Sequence, residues 1–501
     1  MVNRPEAMRD LDLEPERVRR LVDSVGQLYE ELLEQLPSLP VDRRRTVDEV
    51  RREFAPDIPT EGLGDDELIA YLRKLMFSGS IYTGHPGFMA YISGAGTAPG
   101  AIADLAAAAI NQNVGGWRLG PAATEIELHL TSWFANLFGL PQTGGGLVTS
   151  GGSMANFVAL KVARDRALGL RAREAGLEGA RLTAYTSADV HFATTRAADM
   201  LGMGSDAIRL IGMDADYEID TVALVEAIER DKTDGAHPFA VIASAGTTAT
   251  GAVDPLDDIA AICAEHGLWM HVDAAYGGPA VLAEDLKPLL SGIEKAHSIV
   301  FDPHKWMYTP HSGGVVLVRD LQWLADSFSA HAAYVHEDKE LTGRGLDLGM
   351  MGPQLSRSFW ALKIVVSLLA YGTRTYGARI SHDAALARYL GSQVEQHEEL
   401  ELMAPVGLSI CCFRYVPPDL PDTSGREGYL DALNERLMAE VQFDGRVYFS
   451  NAVLNGRFVQ RCCIVNFRTE AEHLDQVVEV TTELGARLDK EMRPADLLGW
   501  G

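Results

Sequence analysis

The chain has 501 residues, 47% of them hydrophobic, and a formal net charge of −26 at pH 7. Its length predicts two or three domains with a substantial core, and its acidic balance argues against nucleic acid or an anionic membrane as a partner. No apolar run approaches the ~18 residues of a membrane-spanning helix, and the first residues are charged rather than apolar. We therefore expect a cytoplasmic protein.

The cysteine and histidine content indicates neither disulfides nor a metal. The five cysteines comprise Cys263 and two adjacent pairs, Cys411-Cys412 and Cys462-Cys463. This odd, clustered set does not resemble a disulfide framework, and buried thiols in a reducing cytosol are expected instead. No histidine or cysteine cluster has the spacing of a metal site, so no metal is predicted.

The N-terminal part is predicted to be helical. Residues 14–36 carry apolar residues at helical spacing, and a second helix is predicted over residues 65–77 with Asp65 as its cap. The glycine-rich residues 84–100 predict a loop. Further on, Thr124 is the predicted N-cap of a helix over Glu125–Phe138.

Strands and helices then alternate from residue 147 to residue 318. Near-continuous apolar strands predict a large, mainly parallel sheet that is covered by helices on both faces. Ligands of such α/β sheets bind beyond the carboxyl ends of the strands, and Ser244, Asp273 and Lys305 all fall close to such ends. Leu147–Gly152 predicts a strand followed by a glycine turn. The further predicted strands are Arg181–Ser187, Ile208–Gly212, Phe239–Ala245, Leu268–Asp273, Ser298–Phe301 and Gly314–Val318, and a predicted helix over His191–Leu201 lies among them.

The C-terminal part has a different pattern. Residues Asp347–Ser356 predict a mobile loop, and a helix over Arg357–Ala370 is predicted to end at Tyr371-Gly372. A smaller α+β domain follows, with strands predicted over Leu408–Tyr415, Val447–Phe449 and Arg461–Asn466. The predicted domains are a helical segment over 1–84, a large domain over 85–372 and a small domain over 373–501.

Two short motifs carry the chemistry. Lys305 lies in DPHKW, on a turn between two apolar strands, where a buried ammonium is costly unless it is paired or neutralised. A Schiff base with the aldehyde of pyridoxal 5'-phosphate (PLP) would neutralise it. Asp273 lies at a strand end in HVDAAYGG, and PLP needs such a carboxylate against its pyridine nitrogen.

Together, HVDAAYGG and DPHKW closely resemble the group II PLP-dependent amino-acid decarboxylases, which include aromatic-amino-acid, glutamate and diaminobutyrate decarboxylases. The resemblance extends from about Tyr82 to the C-terminus. It implies the PLP-dependent transferase fold of type I, a homodimer in which the N-terminal helices pack on the partner, and conversion of an L-amino acid to an amine and CO₂.

The resemblance also implies a set of site residues. A glycine-rich turn into a helix N-terminus binds phosphate, and with the family match this assigns Gly152 and Ser153 to the PLP phosphate. In addition to Lys305 and Asp273, the resemblance implies a ring-stacking and catalytic His191, a cofactor-proximal Thr248, an Ala275 packed on the ring and a His304 near the phosphate. It places Tyr91 and Ile92 in the substrate pocket.

The chain departs from the family in two places. Counting back from Arg357 puts Leu348 where the family carries a loop tyrosine that returns a proton to the substrate carbon. Asn113 and Gly115, in NQNVGGW, stand where aromatic decarboxylases carry apolar groups that reach the neighbour's pocket. The first departure favours an aldehyde side product, and the second argues against a strictly aromatic substrate.

Three alternatives to a simple decarboxylase remain open at this point. Loss of the protonation step would let oxygen intercept the reaction and give an aldehyde, ammonia and peroxide. An aminotransferase would use the same motifs with a different substrate orientation. A non-catalytic relative is disfavoured because Lys305, Asp273, His191 and Thr248 are all present.

Overall fold

A seven-stranded sheet forms the centre of the fold in the computed structural model, which describes residues 11–329 and 345–497. The strand order is β1-β7-β6-β5-β4-β2-β3, with β7 antiparallel to both of its neighbours and the other neighbouring pairs parallel. The predicted mainly parallel α/β sheet is therefore confirmed. Its strands are β1 Gly145–Thr149, β2 Leu182–Ser187, β3 Ile208–Ile211, β4 His237–Ser244, β5 Trp269–Asp273, β6 Ser298–Phe301 and β7 Gly314–Val318.

Helices cover this sheet, and further helices precede and follow it in the described part of the chain. Every residue of β1, β2, β5, β6 and β7 is buried, as expected for strands covered on both faces. The helices are α1 Pro15–Gln35, α2 Val47–Phe54, α3 Asp65–Ser78, α4 Ala98–Ile110, α5 Pro121–Leu137, α6 Gly152–Leu168, α7 Ala172–Ala175, α8 Ala193–Met200, α9 Thr221–Thr233, α10 Leu256–His266, α11 Gln322–Phe328, α12 Ala361–Gln396, α13 Arg426–Asp444 and α14 Ala471–Met492.

A four-stranded antiparallel sheet forms the C-terminal α+β unit together with α13 and α14. Its strands are β8 Leu400–Leu402, β9 Ile410–Tyr415, β10 Ser450–Leu454 and β11 Arg457–Cys463, in the order β10-β11-β9-β8. The strand predicted over Val447–Phe449 is wrong, because this stretch leaves the sheet: Tyr448 exchanges backbone hydrogen bonds with Gly87 and Met89. All five cysteines are buried and free.

Several predicted helix starts are shifted. Gly64, not Asp65, caps α3, and the Asp65 carboxylate instead accepts hydrogen bonds from the Arg17 guanidinium of α1. Helix α5 begins at Pro121, so Thr124 lies inside its first turn; proline at the first helical position already has a helical φ. Helix α8 begins two residues after His191.

Helix α12 crosses the predicted boundary between the large and small domains. It begins at Ala361 rather than Arg357. The break predicted at Tyr371-Gly372 is present, because Gly372 has φ 73° and ψ 155° inside the run. Such a φ suits glycine, and this non-helical residue divides α12 into two helical parts. Within the described residues, no helix is long and apolar enough to cross a bilayer.

A buried ion pair joins α5, β1 and the segment before α12. The Arg357 guanidinium contacts the Glu127 carboxylate and donates to the Val148 carbonyl at 2.9 Å, while the Val148 N–H donates to Glu127 at 2.9 Å. Both charged side chains are almost fully enclosed, at 1% and 0% exposure. The pair therefore fixes the edge of the large sheet beside the site.

We expect Glu127→Gln to lower the free energy of unfolding by about 3 kcal/mol or more, because it leaves the Arg357 charge buried without a counter-charge. Urea unfolding of the holoenzyme measures this. The control is Glu178→Gln, which removes an ion pair to Arg171 whose side chains are 77% and 55% exposed and which should cost about 1 kcal/mol or less. Equal losses in the two variants would contradict the structural role of the buried pair.

Candidate active site

A cavity of about 420 Å³ lies beyond the carboxyl ends of the central strands. The turns after β1, β4, β5 and β6 reach it, since parallel strands end at the same edge of a sheet. Its lining includes all eight residues predicted to hold the cofactor or to act in catalysis: Gly152, Ser153, His191, Thr248, Asp273, Ala275, His304 and Lys305.

The turn from β1 into α6 forms one end of the cavity. Gly151 has φ 151°, and a Cβ on Gly152 would lie 2.7 Å from Oδ2 of Asp302, so glycines are required at this close approach. The amides of Gly152 and Ser153 open helix α6 and have no helical acceptor. This end therefore presents N–H donors and a positive helix end, which suit a phosphate.

Asp273 ends β5 with a carboxylate that is held from two sides. Oδ1 accepts from the Ala275 N–H at 3.0 Å, and Oδ2 accepts from Nδ2 of Asn156 at 3.1 Å. The residue is 8% exposed. These two N–H donors hold the carboxylate in place, where it can accept a hydrogen bond from a protonated ring nitrogen.

Lys305 lies on the turn after β6, with Nζ 3.2 Å from Oδ2 of Asp302. The other oxygen of Asp302, Oδ1, is buried and has no hydrogen-bond partner among the described residues. The neighbouring Trp306 is fully buried, stacks on Tyr276 at 5.2 Å and donates to Asp383 of α12 at 3.0 Å. The backbone next to the lysine is therefore firmly held.

His191 lies in the segment before α8. Its Nδ1 accepts from the Ala193 N–H at 3.2 Å, which leaves the ring hydrogen on Nε2. Burial, and then the nearby charge of Lys305, lower the pKa of this imidazole below its usual value. The His191 imidazole is therefore a neutral ring with one hydrogen-bond donor, Nε2–H.

Thr248 is held through its backbone rather than its side chain. Its carbonyl accepts from the guanidinium of Arg461 in β11, which also donates to Oγ of Ser450 at 3.1 Å. Arg461 is 3% exposed. The C-terminal sheet therefore supports the floor of the cavity, a link that the sequence alone did not predict.

Four predicted substrate-pocket residues do not line this cavity: Tyr91, Ile92, Asn113 and Leu348. Tyr91 is 61% exposed and Ile92 packs against the main core. Oδ1 of Asn113 accepts from the N–H groups of Gly115 and Arg357 at 2.9 and 3.0 Å. Asn113 thus stabilises its own turn in this protomer.

Leu348 does not lie in an exposed loop. It begins a short 3₁₀ helix over Leu348–Met350, is 0% exposed and belongs to the main hydrophobic core. The mobile loop expected here is therefore not what Leu348 forms, and its match to the family's loop tyrosine stays a prediction. Residues 330–344, which include Tyr334, lie outside the described residues.

Sequence reasoning assigned no role to several polar residues that line the cavity, among them Asn156, Asp189, Asp302 and His311. Asp302 and His311 were within the motif region but had no assigned role. Oγ of Ser93 lies 2.9 Å from Nε2 of His311, which joins the turn after Tyr91 to the rim. Oδ2 of Asp189 is buried without a hydrogen-bond partner among the described residues, and burial raises the pKa of this carboxyl.

These residues fit PLP. The glycine turn at the start of α6 matches the phosphate, Asp273 matches the pyridine nitrogen, and Lys305 offers an amine to the aldehyde. The cavity is lined around these groups by small residues, among them Ala193, Gly246 and Ala275, which leave room for a flat ring.

Comparisons with known proteins agree with this geometry. Residues 48–416 match the pyridoxal-dependent decarboxylase conserved domain. The chain is 33% identical to an aromatic-L-amino-acid decarboxylase of Bacillus atrophaeus over 94% of this chain and 95% of that protein. It is 32% identical to an L-2,4-diaminobutyrate decarboxylase of Rhizobium meliloti (strain 1021) over 86% and 84% of the two chains.

The fold is also that of a solved structure, the crystal structure of Oryza sativa TDC with PLP and tryptamine. The TM-score is 0.89 at 28% identity, and the match covers 97% of this chain and 100% of that one. Because the domain match spans most of the sequence and the motif residues meet in one cavity, the chain belongs to the pyridoxal-dependent decarboxylase family and is a PLP-dependent amino-acid carboxy-lyase.

Proposed function

We propose that Lys305, Asp273 and His191 carry the decarboxylation of an L-amino acid to its amine. The observation that carries this proposal is their convergence, with the glycine turn of α6, on one cavity. When bound, PLP supplies an aldehyde for the substrate amine and a protonated ring that takes up the electron pair left by CO₂. The remaining work falls to side chains of this chain.

Each side chain has a defined task. Lys305 holds the cofactor and receives it back when the product amine leaves. Asp273, which two N–H donors keep in place, keeps a proton on the ring nitrogen. His191 stays neutral because burial lowers its pKa. Its imidazole can pack against the cofactor ring, and its Nε2–H can donate a proton near the reacting carbon.

We expect borohydride to fix the cofactor to Lys305, and peptide mapping by mass spectrometry to find the adduct there. Asp273→Asn should keep the fold but lower kcat by several orders of magnitude, because the ring nitrogen loses the partner that keeps it protonated. Lys287→Ala and Asp258→Asn, at exposed positions, are the matched controls. An adduct on another lysine, or an Asp273→Asn enzyme within tenfold of wild type, would contradict these roles.

The product is proposed to be the amine alone. The expected aldehyde side product depended on Leu348 replacing a proton-donating tyrosine, and Leu348 is enclosed in the core. Leucine offers no proton donor in either place, so the proposal of the amine rests on His191 as the group that returns the proton. Leu348→Tyr would add a hydroxyl to a packed interior, and we expect it to destabilise the fold rather than to alter the product.

The proposed substrates are aromatic L-amino acids. Support comes from the activity named for the Bacillus atrophaeus relative and from the tryptamine named in the Oryza sativa complex. The cavity lining agrees, since Lys305 is its one lysine and it contains no arginine among the described residues. A substrate with a distal carboxylate would therefore lack a counter-charge.

A second candidate substrate carries a distal amine, as in the diaminobutyrate decarboxylase relative. The observation that favours it is Asp189, whose Oδ2 is buried in the lining without a hydrogen-bond partner among the described residues. A substrate ammonium would pair with this carboxylate and offset the cost of its burial.

A panel of aromatic, acidic and diamino L-amino acids, assayed for CO₂, amine and peroxide, distinguishes these candidates. We expect turnover of aromatic substrates with peroxide at the level of a PLP-only control. If Asp189 binds a distal ammonium, Asp189→Asn should raise the KM for diamino substrates roughly 10-fold or more, the effect of one charged hydrogen bond, and leave aromatic KM values unchanged. Preferred turnover of glutamate would contradict both candidates.

We propose a homodimer in a reducing cytoplasm. Helices α1 and α3 expose apolar side chains, among them Val18, Val22, Val25, Leu68 and Leu75, and such a face calls for a partner. The buried free thiols support the reducing compartment.

Sedimentation equilibrium should give twice the mass of the chain. We expect Val22→Glu to shift the enzyme toward monomer and to weaken PLP binding, because it places a charge in the apolar face of α1. Glu30→Lys, at an exposed polar position of the same helix, is the control. A wild-type monomer with full activity would contradict the proposal.

A further inference from the structure

A buried chain of hydrogen bonds leads from Trp269 to the Asp273 carboxylate. Nε1 of Trp269 donates to Oγ of Ser298 at 2.8 Å, and Oγ lies 2.8 Å from Nδ1 of His271. Nε2 of His271 lies 2.8 Å from Oδ1 of Asn156, whose Nδ2 donates to Oδ2 of Asp273 at 3.1 Å. All five residues of this chain are buried, with exposures of 0–8%.

Only one arrangement of hydrogens satisfies every link. Nδ2 of Asn156 faces two acceptors, Oδ2 of Asp273 and the Gly152 carbonyl at 3.0 Å, so the amide oxygen must face His271. The hydrogen of His271 is therefore on Nε2, and Nδ1 accepts from Ser298. Since indole only donates, Ser298 accepts from Trp269 and donates onward.

The resulting donors all point toward Asp273. Burial lowers the pKa of His271 to about 4, which agrees with a neutral ring in this chain. Asn156 has a second contact that matters: by donating to the Gly152 carbonyl it also ties the carboxylate to the turn that would hold the phosphate. One side chain thus sets the spacing between the two ends of the cofactor site.

We infer that Asn156 and His271 are positioning residues: His271 orients the Asn156 amide, and Asn156 holds Asp273 at a fixed place relative to the α6 turn. This inference rests on the proposed role of Asp273. Neither residue touches the reacting atoms in this scheme, and both act through the carboxylate. Loss of this chain of hydrogen bonds leaves Asp273 with one N–H donor, and its carboxylate is then free to rotate.

The expected effects are specific to the cofactor. His271→Leu should raise the dissociation constant for PLP roughly 10- to 100-fold, the effect of one hydrogen bond to a charged group. It should also shift the pH at which the absorbance band of the bound cofactor changes, and leave the KM for substrate within about twofold. His271→Gln can donate to Asn156 and accept from Ser298, so it should restore most of the affinity.

The control variant is His297→Gln. His297 stacks on Trp269 at 5.0 Å and accepts from the Met270 N–H, so it shares the surroundings of the chain without belonging to it. It should bind PLP as wild type does. Melting temperatures of the apo forms verify that each variant folds.

A double-mutant cycle separates this inference from the proposed function. If His271 acts through Asp273, His271→Leu should have little further effect on PLP affinity in an Asp273→Asn background. If Asp273→Asn alone leaves PLP binding and turnover near wild type, the proposed function of Asp273 fails. Two results would overturn the inference when Asp273→Asn does weaken PLP binding and turnover. In the first, His271→Leu binds PLP as wild type does. In the second, His271→Leu keeps its full effect on PLP affinity in the Asp273→Asn background.

Wild-type protein provides a test that does not depend on any variant folding. Nitrogen-15 spectra of the apo protein, labelled at histidine, report which ring nitrogen carries hydrogen. We expect the signal assigned to His271 to show hydrogen on Nε2 at pH 7. Hydrogen on Nδ1 would reverse the chain at His271 and overturn the inference.

Discussion

Buried carboxylates that accept backbone N–H groups hold the active-site edge of the sheet together. Asp254 accepts from Ser244 and Ile219 at 2.6 and 2.9 Å, Asp273 accepts from Ala275, and Glu127 accepts from Val148. A buried N–H that lacks a partner costs free energy, and strand ends leave such groups unpaired. The carboxylates satisfy these donors, and the turns that carry the site residues stay in place.

The C-terminal half of the chain supports the turns that line the cavity. Asp383 accepts from Trp306, from Tyr308 at 2.6 Å and from Arg379 at 3.1 Å, so the lysine turn is fixed by the part of α12 that follows Gly372. Arg461 of β11 holds the Thr248 carbonyl in the same way. The boundary predicted at residue 372 coincides with the break in α12, and residues beyond it support the turns that line the cavity.

The sequence predicted the residues whose roles are local. Lys305 and Asp273 each stand on a turn directly after a strand, and a motif of five to eight residues is enough to recognise them. Asn156, His271 and Asp189 were missed because their roles depend on residues from other elements: Asn156 meets Asp273 only when α6 packs beside β5. Leu348 was expected in a mobile loop but is enclosed in the core, because distance along the chain does not specify which residues of a folded segment face inward.

The charges that line the cavity bear on which substrate side chains fit. Among the described residues, the lining contains one lysine, Lys305, and three carboxylates, Asp189, Asp273 and Asp302. Each carboxylate has a different environment. Asp273 has two N–H donors, Asp302 lies beside Lys305, and Asp189 has a buried oxygen with no partner among the described residues. In a partly desolvated site such charges act strongly on a ligand. Because the phosphate of PLP would add further negative charge, a second substrate carboxylate would meet repulsion, whereas an uncharged or cationic side chain would not.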